Sequence, residues 1–153
     1  MLTQTTEYAL RAMSHLAYMP DGLVSTGELA QFTKVPSNYL AKVLQLLAKA
    51  DLVTGRRGVG GGYRLSRSSS EITLLDVINA ISPIKPISSC PLGLENHSGS
   101  LCPLHSKLDE AARVMINLFG DITLKDVISE PGRNRPLCDT EMTKKVDLTL
   151  GQS

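Results

Sequence analysis

No apolar run in the 153 residues approaches the ~18 that a membrane-spanning helix needs, although 42% of the residues are hydrophobic. A helical membrane protein is therefore excluded, and a soluble one is expected. The first residues, Met1-Leu2-Thr3-Gln4, have neither the basic stretch nor the apolar core of a secretory signal, so the expected address is the cytoplasm. Cysteine is scarce: the three present, Cys90, Cys102 and Cys138, make an odd count that argues against a disulfide framework and leaves metal or redox chemistry as the question. Signatures of catalysis are missing as well. There is no nucleophile elbow, Walker loop or dinucleotide fingerprint, because the glycines from Gly58 to Gly62 lead into a strand-like run where a phosphate loop requires a helix. The expectation is one compact core, with room for a helical extension, and no enzyme.

Charge is what the chain does have, and it is unevenly placed. The net formal charge is only +1. Residues 34–67 nevertheless hold Lys34, Lys42, Lys49, Arg56, Arg57, Arg64 and Arg67 against the single acid Asp51, seven against one, or +6. Elsewhere nine basic residues face fourteen acidic ones, so the remainder is net acidic. A local excess of this size is the electrostatic footprint of a phosphate-binding surface, although a solvated helix face can also be lysine-rich.

Periodicity organises the same region. Tyr8, Ala9, Ala12, Leu16 and Met19 repeat near 3.6 residues and predict a helix over Thr3 to Tyr18, stopped by Pro20-Asp21-Gly22. Ser25 followed by Glu28 predicts a capping box and a short helix to Thr33. After the turn Lys34-Val35-Pro36, Ser37 can cap a third helix, with Leu40, Val43, Leu44 and Leu47 inward and Asn38, Lys42, Gln45 and Lys49 outward. That is a helix-turn-helix pattern. Leu52-Val53-Thr54 and Tyr63-Arg64-Leu65 suit two strands of a hairpin joined by the loop from Gly55 to Gly62, whose glycines permit close approach of backbone to another surface. Ser68-Ser69-Ser70 reads as a linker. Thr73-Leu74-Leu75-Asp76-Val77-Ile78 is echoed by Thr123-Leu124-Lys125-Asp126-Val127-Ile128, each with a capping threonine and a first-turn aspartate. Between them Leu104, Leu108, Ala111, Ala112, Met115, Leu118 and Phe119 form a helical stripe for dimerisation or for core packing. The predicted fold is mainly α with a small β-hairpin wing: residues 1–83 a winged helix-turn-helix, 84–103 a cysteine-bearing sensor loop, 104–130 a long dimerisation helix and a short helix, and 131–153 a mobile tail.

Thr6-Glu7-Tyr8-Ala9-Leu10-Arg11-Ala12, Tyr39-Leu40, Arg56-Arg57-Gly58-Val59-Gly60-Gly61-Gly62-Tyr63 and Leu74-Leu75-Asp76-Val77-Ile78 together resemble the Rrf-two (Rrf2) family of transcription regulators over roughly residues 1–130. The resemblance implies a winged helix whose long helix crosses its counterpart in a homodimer, the pair binding a pseudo-palindromic operator in double-stranded DNA, most often as a repressor. It further implies that Ser37, Asn38, Tyr39 and Lys42 enter the major groove, while Arg56, Arg57, Gly58, Gly60 and Gly61 run along phosphates or the minor groove.

Residues 90–105 hold two thiols and two imidazoles, Cys90, His97, Cys102 and His105. Thiolates are soft ligands that favour iron-sulfur clusters, zinc or copper(I). Cluster-bearing members of the family carry three cysteines in this loop. Cys90 and Cys102 match the outer two, while Asn96 or its neighbour His97 stands near the middle one. By that resemblance the metal ligands are Cys90, Cys102, His105, His97 and a partner subunit's Glu7, and the cofactor is a 2Fe-2S cluster responding to redox change or nitric oxide. Two alternatives stay open: a zinc site from Cys90, His97, Cys102 and His105, and a metal-free regulator or adaptor controlled by a protein partner. Cys138 reads as a free thiol.

Overall fold

The computed structural model describes residues 2–94 and 99–129. Asn96, His97 and the segment 131–153 with Cys138 lie outside the described residues. Thr3 starts the first helix by accepting the Thr6 N–H on its hydroxyl, and α1 runs Gln4–Ala17. Its apolar positions Ala9, Ala12, Met13 and Leu16 are buried. Two further helices follow, α2 (Thr26–Thr33) and α3 (Ser37–Lys49). Leu29 of α2 and Leu40, Val43, Leu44 and Leu47 of α3 close over α1 to form the core. Truncating any of these leucines to alanine should cost ~2–5 kcal/mol, since a cavity remains where the side chain stood.

The capping expectations hold in part. Ser25 does accept the Glu28 N–H. The Glu28 carboxylate does not complete the box, however, because it reaches instead toward Nε2 of the buried His15, at 3.4 Å. Ser37 is not a cap: it is the first residue of α3, Pro36 occupies the cap position, and no side chain satisfies the helix's first N–H groups. Proline has no side-chain acceptor to offer, so this helix end is left open.

An antiparallel hairpin follows, β1 (Val53–Arg56) and β2 (Gly62–Leu65), paired Val53 with Leu65 through Arg56 with Gly62. Val24 adds a bridge on the other edge of β2, exchanging N–H and carbonyl with Tyr63 at 2.8 Å each. The Ser68-Ser69-Ser70 run, expected as a linker, forms a short 3-10 turn over Ser69–Glu71, in which Ser68 and Glu71 cap each other. Then come α4 (Leu74–Ile81), α5 (Pro103–Gly120) and α6 (Leu124–Ser129). The repeated Thr-Leu-X-Asp-Val-Ile segments lie side by side. Leu74 N–H donates to Ile122 and Leu124 N–H to Ile72, both at 2.9 Å, so the starts of α4 and α6 pair as a bridge between Thr73 and Thr123. In each, threonine and aspartate cap one another. The Thr123 hydroxyl and N–H hold the Asp126 carboxyl below its usual pKa.

α1 packs against α2, α3, α4 and α6, whereas α5 lies along α4 and has no buried residue. Leu104, Leu108, Val114 and Leu118 of α5 are 65%, 50%, 61% and 54% exposed. Plain core packing therefore does not account for its stripe within one chain. Among the described residues no helix is long and apolar enough to cross a membrane.

Candidate nucleic-acid interface

The apolar face of α3 is committed to the core, which leaves its opposite face at the surface. Ser37, Asn38, Tyr39, Lys42, Gln45 and Lys49 are all exposed. The turn before the helix is tight. Lys34 adopts φ 55°, a left-handed conformation unfavourable for a residue with a Cβ, and Val35 behind it is buried. The uncapped start of α3 points a partial positive charge outward alongside Ser37 and Asn38.

Tyr39 is braced by its neighbours. Its ring meets Tyr8 of α1 edge-on, with centroids 6.0 Å apart. The Arg11 guanidinium sits 5.7 Å from the Tyr8 ring centre. Arg11 also donates to the Thr33 carbonyl at 3.1 Å and, through Nε and Nη2, to Glu7 Oε1 at 2.6 Å. One arginine thus ties α1 to the end of α2, next to the aromatic pair that carries Tyr39. Tyr8 and Arg11 were missed as site residues. The four-residue spacing of Glu7 and Arg11 was the available signal.

The wing loop has a defined shape. Gly58 and Gly60 take φ 91° and 70°, and the Gly61 N–H closes on the Gly58 carbonyl at 3.0 Å. A Cβ on Gly61 would run into the carbonyl oxygens of Arg56 and Gly58, so glycine is required there by close approach rather than by flexibility. Arg56 and Arg57 differ in role. Arg56 Nη2 donates to the Gly60 carbonyl at 3.2 Å and braces the loop, whereas Arg57 is exposed, with no hydrogen bond or ion pair to a described residue. Gly55, Arg56, Arg57, Gly58 and Gly61 line a recess of about 500 Å³ that also reaches Ala48 at the end of α3. Helix and wing therefore meet at this recess, and each carries exposed basic side chains, Lys42 and Lys49 on α3 and Arg56 and Arg57 on the wing.

The cysteine segment brings two of its expected ligands together. Cys102 is the residue before α5, Pro103 is its first residue, and Cys102 Sγ lies 3.3 Å from His105 Nδ1. A thiol and an imidazole so placed fit a common soft centre. Cys90 is partly buried, in a turn closed by the Gly93 N–H on its carbonyl at 3.1 Å. Glu7 of the same chain is held by Arg11. Among the described residues no three His, Cys, Asp or Glu side chains converge, so Cys102 and His105 are a partial donor set. The segment is also tied to α5: Asp109 accepts the Ile87 N–H at 2.8 Å and Arg113 Nε at 2.8 Å. The hydrogen bond from Arg113 holds the Asp109 carboxyl below its usual pKa, burial opposes it, and the hydrogen bond from Ile87 adds a smaller lowering.

A family model described as Rrf2, iron-dependent transcriptional regulator, matches residues 2–130. Among solved structures, CymR, the global cysteine regulator of B. subtilis, is similar at 27% identity over 86% of this chain and 98% of its own, with a TM-score of 0.71. IscR of T. potens is similar at 22% identity over 88% and 93%, with a TM-score of 0.69. CymR of Staphylococcus aureus is similar at 23% identity over 85% and 99%, with a TM-score of 0.66. The last two likenesses concern the fold alone.

Proposed function

The chain belongs to the Rrf2 family of iron-dependent transcriptional regulators, and from that premise we propose that it works as a homodimeric repressor reading a pseudo-palindromic operator through α3 and the wing. The observation that carries this reading is the set of exposed basic side chains on α3 and the wing, which have so few acidic partners among the described residues. Ser37, Asn38, Tyr39 and Lys42 would read base edges in the major groove, and the open start of α3 would meet a backbone phosphate. Arg57 would contact phosphate or the minor groove, held in place by a loop that Arg56, Gly58, Gly60 and Gly61 shape. Dimerisation would bury the exposed leucines of α5 and space the two recognition helices for half-sites one helical turn apart. A regulator acting on DNA would work in the cytoplasm.

The signal would enter through the cysteine segment. Cys90, Cys102 and His105 would hold a 2Fe-2S cluster, with His97 or a partner subunit's Glu7 completing the set. Such a cluster supplies a centre sensitive to redox change and nitric oxide. Cys102 immediately precedes α5 and Asp109 links that helix to Ile87, so ordering of the segment would bear directly on the dimerising helix. A metal-free regulator answering to a protein partner is the second reading. What supports it is the likeness to CymR, at 27% identity over 86% of this chain.

Fluorescence anisotropy on mixed-sequence duplexes tests the DNA reading. The double variant Arg56→Ala, Arg57→Ala should bind every sequence more weakly and show a shallower salt dependence, by ~0.9 log units per tenfold change in salt for each phosphate that is no longer neutralised. Asn38→Ala should instead change which sequences are selected from a randomised pool. A double variant as tight as the parent at near-physiological salt would remove the wing from the interface.

A further inference from the structure

The base of the wing hairpin carries a second basic recess, lined by none of the residues that line the first. The pairing of Thr54 with Arg64 puts both on the outward face of the hairpin, since their neighbours Val53, Tyr63 and Leu65 pack on the core. Just beyond β2 the chain turns through Ser66, Arg67, Ser68 and Ser69, and together with Ala17 and Pro20 these residues enclose a cavity of about 390 Å³. We propose that this recess binds a phosphate group.

The nearby acids already serve as caps, while one of the two arginines of the recess has no partner among the described residues. Arg64 is exposed and makes no hydrogen bond or ion pair with a described residue. Arg67 approaches Asp76 only at 3.5 Å, and that same carboxylate oxygen accepts the Thr73 N–H at 3.0 Å as the cap of α4. The other nearby acid, Glu71, is likewise occupied, taking the Ser68 N–H at 3.2 Å. Both carboxylates serve as helix or turn caps, and one long ion pair, from Arg67 to Asp76, sets a single negative charge against the two guanidiniums. Thr54, Ser66 and Ser69 also line the cavity, and their hydroxyls make no hydrogen bond among the described residues. Two planar forks and three hydroxyls exceed what one carboxylate can accept, whereas a phosphate offers more oxygens and more charge. The volume lies within the range of small-ligand sites.

The phosphate has two possible sources. It can belong to DNA backbone running past the wing, in which case the inference rests on the DNA-binding reading and extends its footprint. Otherwise it is a free phosphorylated small molecule. The test uses the full chain and the double variant Arg64→Gln, Arg67→Gln, with circular dichroism to confirm folding. Inorganic pyrophosphate is titrated calorimetrically at constant ionic strength, and DNA binding is measured over a salt series on a short and a long mixed-sequence duplex. A free-phosphate site predicts pyrophosphate binding by the parent that weakens at least tenfold in the variant. A backbone site predicts a salt slope lower by ~0.9 per phosphate contact in the variant, on the long duplex only. Either result supports the recess as a phosphate site and identifies the source. A folded variant that matches the parent in both arms overturns it. If the double variant does not fold, Arg64→Gln is measured in its place, since Arg64 is bonded to none of the described residues. A parent that binds neither duplex refutes the DNA reading separately, and the pyrophosphate arm then decides alone.

Discussion

Changing Leu108 to lysine should dissociate the proposed dimer without unfolding the chain, and the size of the effect follows from the exposed face of α5. Fully burying a leucine or valine is worth ~1.5–3 kcal/mol. Leu104, Leu108, Val114 and Leu118 are half to two-thirds exposed in the isolated chain, so each has roughly 1 kcal/mol still to gain. Over two chains these four positions supply roughly 8 kcal/mol, with Met115 and Phe119, both partly exposed, adding to it. Association itself costs ~4–15 kcal/mol, so the net affinity is modest and one position matters. Leu108→Lys removes about 1 kcal/mol from each chain and adds the cost of an ammonium near an apolar seam, for roughly 2–4 kcal/mol per dimer. At 1.4 kcal/mol per decade this weakens dimerisation by roughly 30-fold to 1,000-fold. Sedimentation equilibrium at tens of micromolar should find a dimeric parent and a largely monomeric variant. Their far-ultraviolet circular dichroism should agree, because no α5 residue belongs to the core. The salt slope for DNA should fall to about half, one half-site being contacted instead of two. A monomeric parent, or a variant that sediments as the parent does, would refute the assignment of this face.

Anaerobic reconstitution with iron and sulfide should give a coloured parent, colourless Cys90→Ala and Cys102→Ala variants, and a Cys138→Ala variant coloured like the parent. A coloured Cys90→Ala, Cys102→Ala double variant would show that other groups hold the cluster, and a colourless parent would favour the metal-free reading. Asp109 should make the hold on the cysteine segment depend on pH. Its folded pKa lies below the unfolded one, so its tie to Ile87 is in full effect above the usual carboxylate range and is lost as pH falls through the depressed value. Hydrogen-exchange protection at the Ile87 amide should be flat from neutral pH down to the ordinary carboxylate range, about 4, and be lost only below it, as pH falls through the depressed value. Asp109→Asn should lose the strong acceptor at every pH. Protection in that variant equal to the parent's would show that Asp109 does not hold the segment.

Local chemistry made much of this protein legible without coordinates. The 3.6-residue spacing of Ala9, Ala12 and Leu16 placed α1 within a residue of its ends, and that of Leu40, Val43, Leu44 and Leu47 gave the inward face of α3. Thr3, Thr73 and Thr123 act as caps because the groups they satisfy lie three residues away in the same chain. The basic excess of residues 34–67 was visible as composition, and the closeness of Cys102 and His105 follows from three-residue spacing at the start of a helix. What tertiary structure alone decided involves partners distant in sequence. Glu28 leaves its capping box for His15, thirteen residues back. Val24 pairs with Tyr63, and the two Thr-Leu-X-Asp-Val-Ile segments, fifty residues apart, meet as a bridge. Arg11 reaches the Thr33 carbonyl, and the ring of Tyr8 braces Tyr39. Ser37 shows the boundary between the two kinds of information. Its type favours a cap, yet the chain enters α3 through Pro36, and the backbone path set by Lys34 and the buried Val35 makes serine the first helical residue. A propensity worth ~1 kcal/mol yields to the burial of a whole helix face, because packing acts on several side chains at once.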